Sequence, residues 1–174
     1  MSEVAVPPQR GRPVGWWGML MLVAAESTLF GVLFGTYFYL RFNSPHWPPD
    51  GIPRPSVAVP LILAAVLAAS ALLLRLGTRA AVVVALVVQA GYFAYAVHDF
   101  QDKLHTFTPQ TDAYGSIYYV LLGADHAHVA VGLVLDLWLL VNFRPIAMRV
   151  IAFYWYAVAV LTLCVTGALL SAAV

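Results

Sequence analysis

Glu26, Gln89, Asp125, His126, His128 and Asp136 stand inside otherwise apolar stretches of this chain, and any chemistry must begin with them. A central Asp costs about 2.5–3.5 kcal/mol in hydrocarbon on insertion scales, so an ionisable group held there is a functional candidate by default. Glu26 has two readings: a carboxyl that exchanges a proton or meets a partner, or one that merely hydrogen-bonds a neighbouring helix. On a helix turning about 100° per residue, Asp125, His128, Gly132 and Asp136 fall within a sector of roughly 80°, while His126 points almost opposite His128. The two histidines therefore cannot chelate one metal as an i, i+4 pair could. Three readings stay open for this face. It can be a His–Asp relay, one His can be an axial haem ligand, or the residues can form a structural cluster that locks their helix to another through Gln89 or Glu26.

Other motifs are absent. The sequence holds no His-Glu-x-x-His, no phosphate-binding Gly loop and no Gly-x-Ser-x-Gly. Ser27 and Thr28, beside Glu26, read as helix-packing hydroxyls. Cys164 is the single cysteine, which leaves no internal disulfide and no cysteine-based metal site. His98 falls at a span boundary, and His46 and His105 fall in loops, so a second transmembrane haem ligand is missing. No catalytic residue and no metal ligand set is expected in this chain.

The elements that must hold these groups are membrane helices. Of 174 residues, 62% are hydrophobic and 10% charged, with mean hydropathy +0.84. Soluble domains are about 45–50% apolar and about 25% charged, so a soluble enzyme and a disordered chain are both excluded. Nine Lys+Arg against eight Asp+Glu leave a formal charge of +1, with no basic stripe for nucleic acid. A span needs roughly 20 apolar residues. Five runs qualify: Val14–Phe42, Val57–Leu76, Ala80–Val97, Gly115–Val141 and Val150–Ala173. The expectation is an all-α polytopic bundle, with residues 1–13 as a cytoplasmic segment and residues 14–174 as the membrane domain.

The first run is too long for a cleaved signal and reads as a retained helix. Gly31 and Gly35 make a Gly-x-x-x-Gly step suited to close helix packing on the side away from Glu26. Gly77-Thr78-Arg79 predicts a tight hairpin between the second and third spans. Pro45–Pro60 reads as a linker that is not regular helix. With the N-terminus inside, the inner segments carry Arg10, Arg12, Arg75, Arg79, Arg144 and Arg149, and the outer ones only Arg41, Arg54 and Lys103. This favours N-inside, C-outside. Trp16 and Trp17 would then form the inner aromatic belt and Tyr37, Tyr39 and Trp47 the outer one, with most aromatics facing lipid or the interface. Five spans do not divide into the duplicated halves of a transporter.

The order of these features resembles subunit III of the haem–copper oxidases. Trp17-Gly18-Met19-Leu20 … Glu26-Ser27 … Phe30-Gly31 … Phe34 … Tyr37-Phe38-Tyr39-Leu40-Arg41 is similar to that family's helix bearing a carbodiimide-reactive Glu, which maps to Glu26. Phe107-Thr108 … Asp112-Ala113-Tyr114-Gly115-Ser116-Ile117-Tyr118-Tyr119 resembles the loop into the family's next-to-last helix. Gly123-Ala124-Asp125-His126-Ala127-His128-Val129 … Gly132 resembles its Phe-His-Gly-x-His-Val … Gly stretch. Gln89 matches the Gln of Gln-x-x-Glu-Tyr, and Tyr154-Trp155-Tyr156 the start of Tyr-Trp-His-Phe-Val-Asp. The likeness runs from about Val14 to Val174 and fits a five-span form lacking the first two of seven helices. The chain departs from the pattern where Asp125 stands for the family's first His, Tyr92 for a Glu, and Tyr156 and Ala159 for a His and an Asp.

The resemblance implies a non-catalytic subunit of a proton-pumping terminal oxidase in a bacterial inner membrane. It would stabilise the catalytic subunit and support proton uptake beside oxidase subunits I and II. Haem and copper would lie in those partners, with phospholipid bound here. A quinol oxidase or nitric oxide reductase is the alternative host complex. A small proton-coupled carrier or channel and a haem b anchor are the alternatives from other classes.

Overall fold

The computed structural model describes residues 13–54 and 56–173. They form α1 (Val14–Phe42), α2 (Ala58–Leu73), α3 (Arg79–Leu104), α4 (Ala113–Val141) and α5 (Pro145–Leu170). With the 3₁₀ turn Leu74–Leu76 that prolongs α2, all five are long and apolar enough to cross a membrane, and no strand occurs among the described residues. The protein is an all-α, multi-pass membrane bundle. The expected N-terminal segment lies outside the described residues, apart from Pro13.

Local chemistry sets the helix ends. Pro60 sits in the first turn of α2, where its missing N–H has no helical acceptor to lose. The linker expected to run to Pro60 therefore ends earlier, and α2 begins at Ala58. Gly77 terminates the following turn at φ 71°, a left-handed conformation that a Cβ would penalise. Thr78 then caps α3 by accepting the Ala81 N–H at 3.1 Å. Asp112 caps α4 by accepting the Gly115 N–H at 2.7 Å, and Pro145 opens α5 at its first position. α3 also runs past the apolar stretch ending at Val97, because the pairs His98–Asp102 and Asp99–Lys103 bridge successive turns. Caps and i, i+4 pairs extend helices that hydropathy alone cuts short.

Helices α2, α3, α4 and α5 pack as a closed ring, each on its chain neighbour and α5 back onto α2. α1 lies outside this ring, and among the described helices it packs against α4 and α5 only. One part of the core joins Leu67, Val82, Val129, Leu139, Trp155 and Val158 from the four ring helices. The other, toward the α3–α4 connection, is aromatic: Phe30, Tyr37, Phe107, Tyr114, Tyr118 and Tyr119. The Tyr119 hydroxyl donates to the Phe107 carbonyl at 3.0 Å, and the Trp47 indole N–H donates to the Tyr37 hydroxyl at 3.1 Å. This corrects the expectation that most aromatics face lipid. Tyr37 is fully buried instead of forming an exposed belt.

Candidate functional site

The polar groups of α4 reach three different neighbours. The first contact is with α1, where Glu26 Oε2 meets His128 Nε2 at 3.0 Å, both side chains largely shielded. Phe30, one turn beyond Glu26, sets its ring edgewise on the imidazole with centroids 5.3 Å apart. On the other side of the ring, His128 Nδ1 lies 2.7 Å from the Ala124 carbonyl. A carbonyl only accepts, so Nδ1 carries the hydrogen of that bond, and a neutral imidazole then offers Nε2 as an acceptor. The Glu26–His128 contact therefore holds one proton, as a carboxylic acid on a neutral ring or as a carboxylate on an imidazolium. From α5, the Tyr154 hydroxyl donates to the His128 carbonyl at 2.8 Å and fixes this turn.

The second contact is with α5. Asp125 is 2% exposed, and its Oδ1 accepts the Thr162 hydroxyl at 2.7 Å. The third is with α3. Gln89 and Asp136 are both fully buried. With its amide turned to donate, Gln89 gives N–H bonds to Asp136 Oδ2 at 2.7 Å and to the Ala85 carbonyl at 3.1 Å. The Trp155 indole N–H interacts with the same carboxyl, although neither it nor Asp136 Oδ1 makes a hydrogen bond of good geometry. Between these levels, Gly132 lets Trp155 approach. A Cβ there would stand 2.5 Å from Trp155 Cζ2.

The four residues of the α4 sector thus do not face one helix together. Asp125 and Gly132 meet α5, His128 reaches α1, and Asp136 reaches α3. A sector of this width, central in the bundle, spans more than one interhelical groove. His126 lies apart from them, edge-on to Phe93 and Phe100 of α3. Gly31 and Gly35 lie on the exposed side of α1, with no atom within 4 Å of a Cβ added at either. Ser27 and Thr28 are also exposed and donate to carbonyls of their own helix, Val23 and Ala24. Sequence reasoning missed Thr162 and Tyr154. A lone hydroxyl in the apolar run Ala159-Val160-Leu161-Thr162-Leu163 was the available signal for the first.

Both ring nitrogens of His128 are engaged, one by Ala124 and one by Glu26, so neither is open to a haem iron in this arrangement. Among the described residues no group of three His, Cys, Asp or Glu side chains is placed to hold a metal ion.

Fold and site together define a class: a multi-pass membrane protein whose few buried polar groups join helices through hydrogen bonds. No family model matches the chain. It is similar to a protein of Nocardia farcinica named "Probable cytochrome c oxidase subunit 3", 28% identical over 81% of this chain and 79% of that one. It is also similar to the "Cytochrome c oxidase subunit 3" of a Synechocystis species, 26% identical over 70% of this chain. The chain spans a little over half of the Synechocystis protein, 56% of its length. The chain is thus similar to cytochrome c oxidase subunit III, in agreement with the motifs read from the sequence.

Proposed function

We propose that this chain is a supporting membrane subunit of a haem–copper terminal oxidase, a role in line with the names of its relatives. Its partners are the oxidase's larger subunits, which hold the haems and copper, and the host membrane is a bacterial inner membrane. The chain stabilises the catalytic subunit and supports proton uptake, and lipid covers much of the exposed side of α1. The observation that carries this reading is the Glu26–His128 contact. It is a proton-holding carboxyl–imidazole pair on the one helix outside the ring, where a partner subunit or lipid reaches it.

The test is purification in mild detergent. The chain is expected to copurify with a large haem-containing chain, and alone to show no haem absorption. The complex lacking it is expected to keep its metal spectra and to lose activity faster during turnover. A stoichiometric haem in the isolated chain would promote the haem-anchor reading. Copurification with no haem protein would favour the carrier.

A further inference from the structure

A cavity of about 150 Å³ lies inside the ring of α2, α3, α4 and α5. At about 30 Å³ per water, that is room for several molecules. On α3 its wall is Tyr92, Ala96, Asp99 and Lys103, and on α4 it is Tyr118, Leu122 and Asp125. These steps of three and four residues stack successive turns on one face of each helix, so the cavity is a shaft along the helices. One end reaches Ser56, ahead of α2, and the Asp99–Lys103 ion pair near the end of α3. Ser56 is exposed and the ion pair partly so, so the shaft opens at the end of the bundle that carries the α3–α4 connection. The other end reaches Tyr92 and Asp125. Asp125 is twelve residues from Ala113, about 18 Å into the bundle at 1.5 Å per residue.

Asp125 is buried, yet half of its carboxyl is unengaged. Oδ1 accepts the Thr162 hydroxyl, and among the described residues Oδ2 has no hydrogen-bond partner. The described buried side-chain atoms with neither partner nor access are Asp136 Oδ1 and Trp155 Nε1. Asp125 Oδ2 is not one of them, so it keeps access, and the shaft is the space it opens on. A buried polar atom costs free energy unless something bonds it, and a cavity holds water when its lining offers several polar partners. Tyr92, Tyr95, Tyr118 and Thr166 supply hydroxyls to this lining.

We propose that the cavity is an aqueous shaft through which Asp125 exchanges a proton with the solution on the α3–α4 side of the membrane. On release the Oδ2–H bond breaks, the proton joins a shaft water as hydronium, and an Asp125 carboxylate remains. Uptake reverses the step. The site is separate from Glu26. Neither Glu26 nor His128 lines the cavity, and the ring nitrogens of His128 are engaged by Ala124 and by Glu26.

The charged and titratable groups around the shaft are Tyr92, Tyr95, Asp99 and Lys103 of α3, and Tyr118 and His126 of α4. His128 stands on the next turn of α4, and α2 and α5 line the shaft with no titratable side chain. The Lys103 charge, which alone would repel a hydronium at the mouth, is offset by Asp99 beside it. The inference goes beyond the proposed function and uses no partner subunit.

The test uses the purified complex in sealed vesicles, with the pH of each side set separately. Infrared spectra with isotope-labelled aspartate read the acid and carboxylate bands, and the pair of bands lost in Asp125→Asn belongs to Asp125. Their ratio should change by about tenfold per pH unit on the α3–α4 side and stay constant when only the other side changes. Asp125→Glu should move the bands and keep the response. A second readout leaves Asp125 unaltered. Thr166→Cys, in a Cys164→Ser background, places a thiol along the shaft, where a small water-soluble thiosulfonate reacts only through water. It should react several-fold faster from the side that labels Gln101→Cys, which marks the α3–α4 end. Reaction from the opposite side, or from neither, overturns the aqueous shaft even if Asp125→Asn does not assemble. Bands that follow the opposite side, or no side, overturn the proton exchange. Asp125→Asn should leave the rate of carbodiimide attachment at Glu26 unchanged, and a several-fold change there would overturn the separation of the two carboxyls. Failure to copurify with a haem chain would leave these results untouched.

Discussion

His126 and His128 are two residues apart and have different environments. His128 joins α4 to α1 through Glu26, and replacing it by Leu leaves a shielded carboxyl without its partner, a loss of roughly 1–3 kcal/mol. His126 makes ring contacts with Phe93 and Phe100, which a Leu replaces in large part. His128→Leu is therefore expected to lower the yield of assembled complex much more than His126→Leu, measured by quantitative blotting after solubilisation. Equal yields would show that the Glu26 contact contributes nothing to assembly. That Glu26, Gln89, Asp125, His128 and Asp136 stand apart from their helices was legible in the sequence, because ionisable and amide groups stand out against hydrocarbon. Who pairs with whom was not. The partners sit on separate helices, and a 100° step per residue locates a side chain only around its own axis.

At the scale of elements, the five helices were legible because length and hydropathy need no knowledge of neighbours. Which face of each helix is buried was not. Lipid is as apolar as the core, so a membrane helix loses the polar stripe that orients a soluble one. Hence Tyr37 reads as an interfacial aromatic and is found packed inside, together with Tyr114 and Tyr118. The same blindness affects glycines. Gly31 and Gly35 announce a packing motif in sequence, yet in this chain the tight approach is at Gly132, under Trp155. Gly132→Ala is expected to destabilise the α4–α5 contact by about 1–3 kcal/mol, the range for overpacking. Gly31→Ala should be neutral in the isolated chain. Thermal unfolding of the detergent-solubilised variants checks both. A loss of stability for Gly31→Ala alone would mean that α1 packs differently.

For the whole molecule, five antiparallel crossings put the α1–α2 connection and the α4–α5 connection on opposite sides of the membrane. Cysteines placed at Asp50 and at Asn142, without Cys164, are expected to react with impermeant reagents from opposite faces. On the arginine distribution, Asn142 is expected to react from the inner face. Labelling of both from one side would remove the five-span topology. The position of α1 outside the ring carries a further consequence, for the order of biogenesis. Of these five helices α1 leaves the ribosome first, but among the described residues the helices it docks on are α4 and α5, the last of the five made. During synthesis of α2 and α3 neither of those two helices is there to pack on, and the Glu26 carboxyl enters the bilayer without its imidazole. A chain truncated before α5 should therefore leave α1 open to crosslinking by lipid-borne reagents along both faces, with protection appearing only once α5 is present. Until then, the insertion machinery or an early-bound neighbour has to shelter that carboxyl.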